Sequence, residues 1–214
     1  MSTAAHSDQR RARLHRRVRL IVGVTIGWNI IEAVVAISAG VAASSAALIG
    51  FGLDSVIEVA SAAAVAWQFT RKDPERWEKA TVRVIGIAFF ALATYVTVDA
   101  LFTITGVQQV EHSPVGIGIA AASLIVMPAL AWFEFRTGRE LGSRSVQADA
   151  KQLLLCIYLS GAVLIGLLLN SAFGWMWADS VAALIVAVLA IREGIEAWRG
   201  DLESPLEVLD ELET

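Results

Sequence analysis

The chain has 214 residues, of which 56% are hydrophobic and only 18% charged, and its mean hydropathy is +0.62. A soluble domain of this size covers its core with polar side chains, so the composition excludes one and points to bilayer spans. The single Cys excludes an intrachain disulfide framework and a cysteine-cluster metal site, and the net charge of -4 says less than where the charges lie.

Taken in chain order, residues 1–18 form a basic tail with Arg10, Arg11, Arg13, Arg16 and Arg17. The first apolar segment, 19–39, contains Glu32. A basic stretch ahead of apolar residues and the small-residue patch 42–47 has the outline of a signal peptide. Glu32 interrupts that outline and five more apolar segments follow, so the segment is read as retained. The second, 44–69, is rich in small residues (Ser44, Ser45, Ala46, Ala47, Gly50, Gly52), which let helices approach closely in lipid. The third is 82–106, and Pro74 ahead of it is a helix-start signal. The fourth is 114–135, the fifth 146–170 and the sixth 175–197. Residues 200–214 are a short acidic tail. Each segment is near the ~20 residues needed to cross ~30 Å of hydrocarbon. None shows the strict alternation of barrel strands, so all six are read as helices. The short first, third and fifth loops predict that sequential helices lie adjacent and antiparallel.

The basic residues sort by side. Six lie in the N-terminal tail and its edge, through Arg19, and five from Arg71 to Arg83. Four lie from Arg136 to Lys151, and Arg192 and Arg199 lie at the C-terminal end, the first in the last turns of the sixth segment. These are all 17 in the chain, and the odd-numbered loops have none. Basic residues stay in the cytoplasm. The expected fold is therefore an all-α membrane protein of six transmembrane helices, residues 19–199, with N and C termini cytoplasmic. Its place is a cell membrane, the inner or plasma membrane. Trp67, Trp77, Trp132, Trp175, Trp177 and Trp198 fall near the expected interfaces, as an aromatic belt does.

Acidic residues interrupt the apolar segments. An uncompensated charge at the bilayer centre costs ~2.5–3.5 kcal/mol on insertion scales, and no Lys or Arg occupies a segment's middle. Such acids must stay protonated, face water or bind a cation. Asp54 and Glu58 are four residues apart, so they leave one helix face about 6 Å apart along the axis, near mid-membrane. Asp149, Gln152 and Cys156 share a face of the fifth helix by their i, i+3, i+7 spacing. Cys156 is a soft metal ligand and Gln152 a weak oxygen ligand, although a lone buried Cys also serves as a small apolar filler. Glu32 lies mid-span. Asp99 and Asp179 lie toward the outer face, where Asp179 is suited to starting the sixth helix. The candidate metal set is Asp54, Glu58, Cys156 and Gln152, with Glu32, Asp149, Asp99 and Asp179 as proton-carrying or accessory groups.

Several chemistries are absent. The chain has no phosphate-binding glycine loop, no H-E-x-x-H and no G-x-S-x-G, so it is not read as an enzyme. No prosthetic group is expected. The Arg cluster at 10–19 reads as topology and contact with anionic membrane lipid, not nucleic acid.

The stretch from Ser45 to Leu53, followed by Asp54-x-x-x-Glu58, resembles the second helix of the cation diffusion facilitator family of metal–proton antiporters. Asn29-x-x-Glu32 is similar to that family's first helix, Ala148-Asp149-Ala150-x-Gln152-x-x-x-Cys156 to its fifth, and Ala178-Asp179-Ser180 to its sixth. The resemblance covers about nine-tenths of the chain. It places ligands at Asp54, Glu58, Gln152 and Cys156. It implies a homodimer that exports a divalent cation against inward protons, with protons competing for the same carboxylates. Three features depart from the family. The second-helix pair is Asp54 and Glu58, without His. The fifth-helix pair, usually H-x-x-x-D, is Gln152 and Cys156. The ferredoxin-like domain that usually follows helix six has no counterpart in the last 15 residues. A short, divergent member is expected. Without His, the substrate set widens from Zn to Mn, Fe or Co. The alternatives are a non-transporting partner subunit that keeps the fold with a degraded fifth-helix site, and a carrier of organic cations.

Overall fold

The structure is a computed structural model. It describes residues 2–69, 74–105, 109–141 and 144–199; within these, the side chains at 2–19, 22, 61–62, 64–69, 74–82, 134, 138, 140–141 and 144–152 are not described. Six helices follow in order: α1 Ser2–Ala43, α2 Ala46–Phe69, α3 Pro74–Ile104, α4 Pro114–Leu141, α5 Arg144–Phe173 and α6 Met176–Arg199. There is no strand among the described residues. The backbone of the basic N-terminal segment is helical and continuous with the first apolar segment.

The boundaries follow local chemistry. Both α3 and α4 begin on a proline, Pro74 and Pro114, whose fixed φ and missing N–H suit the first helical position. Ser113 caps α4, its hydroxyl accepting from Gly116 N–H at 3.1 Å. Ser44, at φ 52°, ends α1 in a left-handed turn. Ser45 N–H returns to Gly40 O at 2.9 Å and Ser44 N–H to Val41 O at 3.4 Å, the double closure of a Schellman end. Ser45 then caps α2 by accepting from Leu48 N–H at 3.1 Å. At the other tight turn Gly174 takes φ 68°, which glycine adopts without a Cβ clash.

α2 is the central element: it packs against α1, α3, α5 and α6, while α3 pairs with α6 and α4 with α5 and α1. The expectation that all sequential helices pack side by side fails at α3 and α4, which form no substantial contact. Their apolar faces are satisfied elsewhere, on α6 and α5. The intervening loop is pinned instead: Glu111 N–H reaches Ala43 O at 2.8 Å, and Asn170 Nδ2 reaches Val110 O at 3.4 Å.

The core is built mostly from small and branched residues, among them Ala36, Leu48, Val96, Val163, Ala183 and Val186, around the large Phe51. Small residues matter where α1 crosses α2. A Cβ on Gly52 would lie 2.9 Å from Ile37 N and 3.1 Å from Ala36 Cβ, and one on Gly40 would lie 2.8 Å from Ile49 N. The helix backbones meet directly there, as the composition of the second segment predicts. Gly52→Ala is therefore expected to destabilise the protein by about 1–3 kcal/mol through overpacking. Gly118→Ala, where nothing lies within 4 Å, should be neutral. Thermal unfolding of the detergent-solubilised variants, followed by size-exclusion chromatography, checks the pair.

Four helices carry stretches long and apolar enough to cross a membrane by length and composition: Gly23–Ala43, Arg83–Ile104, Pro114–Thr137 and Leu153–Phe173. The other two helices, α2 and α6, carry Asp54 and Glu58 on one and Asp179, Arg192, Glu193 and Glu196 on the other. The outer faces of the bundle are apolar, with Val34, Ile87, Ile125, Tyr158, Ile165 and Val188 exposed. Trp132, Trp175, Trp177 and Trp198 are exposed as well.

Candidate metal centre

α2 presents Asp54 and Glu58 on one face toward α5, where Cys156 is completely buried. One donor atom from each lies within 4.8 Å of the other two. The Cys156 thiol donates to Glu58 Oε1 at 2.8 Å and lies 3.6 Å from Asp54 Oδ2. Asp54 is 6% exposed. No basic side chain pairs with either carboxylate among the described residues. Two carboxylates and a thiol turned on one point, without a cation, suit a divalent metal ion: a thiol that coordinates gives up its proton, and the carboxylates supply charge and oxygen. Behind the thiol, Met127, Ala131 and Leu153 form an apolar wall.

Asn29 of α1, on the other side of the trio, donates from Nδ2 to Glu58 Oε2 at 2.7 Å. This fixes one oxygen of Glu58 and leaves the other to the thiol. A small cavity reaches the centre between α2, α3, α5 and α6, and Glu193 of α6 lines it together with Asp54 and Glu58. Next to it Arg192 Nε pairs with Glu196 at 2.8 Å.

The remaining sequence candidates sit elsewhere. Glu32 is fully buried and takes hydrogen bonds from three donors: Ser55 Oγ at 2.6 Å, Trp28 Nε1 at 3.0 Å and Ser123 Oγ. It ties α1 to α2 and α4. Asp179 is fully buried in the first turn of α6, but its carboxylate serves α2. It accepts from Ser45 Oγ at 2.5 Å and lies 3.5 Å from Ala47 N, so it faces the positive end of α2. Asp99 of α3 is half-buried, with Oδ2 buried and without a hydrogen-bond partner among the described residues. The side chains of Asp149 and Gln152 lie outside the described residues; their backbone belongs to α5.

Sequence reasoning passes over Asn29 as a site residue, and over Ser55, Ser123 and Glu193 altogether. Asn29 carries a faint signal, since it stands three residues before Glu32. Glu193 carries none, because beside Arg192 and Glu196 it reads as one more interfacial charge.

The model of the cation efflux transmembrane domain matches residues 22–202. An uncharacterized transporter of Synechocystis sp. is 25% identical over 170 residues, which cover 75% of this chain and 55% of the relative. The cation-efflux pump FieF of Shewanella oneidensis is 31% identical over 80 residues, 37% of this chain and 27% of the pump. The cadmium, cobalt and zinc/H(+)-K(+) antiporter of Bacillus subtilis is 23% identical over 133 residues, 62% of this chain and 42% of the antiporter. The chain thus spans little more than half the length of the Synechocystis relative. With a matched domain that runs from the first apolar helix through the last, the chain is an integral multi-pass membrane protein. It belongs to the cation efflux family, the cation diffusion facilitators, through its transmembrane domain.

Proposed function

We propose that this chain moves a divalent metal cation out of the cytoplasm in exchange for protons, working as a homodimer. In this reading all six helices span the bilayer with both termini inside, and the cation binds at Asp54, Glu58 and Cys156. The observation that carries the reading is the convergence of these three donors within 4.8 Å, deep in a bundle where no basic side chain among the described residues balances them. An uncompensated carboxylate pair in hydrocarbon is costly, and either protons or a cation relieves it. The two ligands therefore compete for one site, and that competition couples their flows. The hydrogen bond from the thiol to Glu58 adds to the coupling: a metal that takes the sulfur displaces its proton.

The donor set favours a borderline divalent ion such as Zn(II) or Co(II), with the thiol supplying the soft contact and the carboxylates the hard ones. The Bacillus relative, named as an antiporter of cadmium, cobalt and zinc, supports the same class. Glu193, which lines the cavity together with Asp54 and Glu58, stands beside Arg192 in the C-terminal part of α6, the end that basic residues mark as cytoplasmic in this reading. The test is a flux assay. Purified protein in liposomes loaded with a metal-sensitive dye, and separately with a pH-sensitive dye, receives Zn(II), Co(II), Mn(II) or Mg(II). Metal entry with opposed proton movement is the expected result, strongest for Zn(II) and Co(II). Absence of flux for every cation would remove the reading.

A further inference from the structure

Among the described residues, the three converging donors leave a four-coordinate divalent ion one protein ligand short. The missing partner must lie against Glu58 or Asp54 and must offer an electron pair. Asn29 meets both conditions. It is 3% exposed, it touches Glu58 Oε2 through Nδ2 at 2.7 Å, and its Oδ1 is buried with no hydrogen-bond partner among the described residues. A buried acceptor without a donor carries a desolvation cost that needs a reason. Glu32, one turn along the same helix, shows what a fully satisfied buried group looks like in this bundle, since three donors reach its two oxygens.

We propose that Asn29 is the fourth ligand of the transported cation, contributed by α1 through Oδ1. The proposal rests on the metal-transport reading above. In the arrangement seen here the amide N–H holds a Glu58 oxygen, a place that a cation would otherwise take. The two ends of an asparagine amide are nearly isosteric and exchange by a half-turn about the terminal torsion. When a cation replaces the hydrogen bond at Glu58, the half-turn brings Oδ1 to the same point. The amide thus serves the empty site as a donor and the loaded site as a ligand. It also brings α1 into a centre otherwise drawn from α2 and α5. The resulting set is three oxygens and one sulfur, which suits Co(II) and Zn(II) and keeps a harder ion such as Mn(II) within range.

The test is Co(II) titration of the full-length protein in lipid nanodiscs, read by the visible d–d bands and the sulfur-to-cobalt charge-transfer band. Asn29→Ala removes both ends of the amide and is expected to weaken Co(II) affinity at least about tenfold. Asn29→Asp removes the N–H donor but keeps an oxygen in place. It is expected to bind within about threefold of the parent, or more tightly, with the charge-transfer band retained. If the aspartate variant is as weak as the alanine variant, the amide acts only as a hydrogen-bond donor to Glu58 and the proposal falls. Unchanged affinity in the alanine variant also overturns it. Should Asn29→Ala fail to fold, as size-exclusion chromatography would show, the aspartate variant alone decides: near-parental affinity supports ligation and a loss opposes it. A parent protein that binds no Co(II) would instead overturn the metal-transport reading and this inference with it, an outcome distinct from binding that ignores position 29.

Discussion

Asp54→Asn and Glu58→Gln are each expected to abolish metal-dependent proton flux in proteoliposomes, at least about a hundredfold below the parent, or ~2.7 kcal/mol of lost cation stabilisation. Both substitutions keep side-chain shape and remove the charge that a divalent ion needs. Each also leaves a carboxamide N–H where a cation would sit. Neither should harm folding through insertion, because a membrane charge costs ~2.5–3.5 kcal/mol at the centre and its removal, if anything, eases entry into the bilayer. The two variants are not equivalent in detail. Glu58 holds Asn29 at 2.7 Å and the Cys156 thiol at 2.8 Å, whereas Asp54 meets, among the described residues, only the thiol, at 3.6 Å. Glu58→Gln therefore disturbs three elements and should be the more severe. Parental expression and elution volume, together with lost flux, would place the defect in the site. Parental flux in both variants would remove the central claim.

The periodicity of α2 and α5 made the centre legible before any coordinates. The i, i+4 spacing of Asp54 and Glu58 and the position of Cys156 one helix face away predicted a facing set, and the structure brings those three together. The apolar segments likewise gave the order of the helices, and Pro74 marked the start of α3. What periodicity cannot give is the identity of the neighbour across a face. It named an acid in the first turn of α6 without showing that Asp179 serves the N-terminus of α2. It also placed α3 beside α4, although each packs elsewhere. Uncharged polar groups hide for a related reason. Asn29, Ser55 and Ser123 are cheap enough in a helical span to raise no alarm in sequence, and their roles appear only once the helices are assembled around Glu32 and Glu58.

The buried thiol offers the sharpest test of what the centre selects. Cys156→Ser replaces a polarizable sulfur with a poor oxygen ligand in a space lined by Met127, Ala131 and Leu153. A structural filler would tolerate the change with little effect on function, since the side chains differ by one atom and Ser is common in close-packed membrane helices. A ligand would not. If the sulfur coordinates, affinity for Zn(II) and Co(II) should fall at least about tenfold, ~1.4 kcal/mol, while affinity for Mn(II), which gains less from sulfur, should change little. The ratio between metals is the informative quantity, because a general loosening of the helix contacts would weaken all three alike. The same variant probes proton coupling. With the thiol gone, no sulfur-bound proton is displaced on metal entry, so protons released per Co(II) bound, followed in weakly buffered solution with a pH dye, should decrease. An unchanged metal order together with an unchanged proton count would make Cys156 a packing residue and leave the cation to Asp54, Glu58 and the groups that α1 supplies.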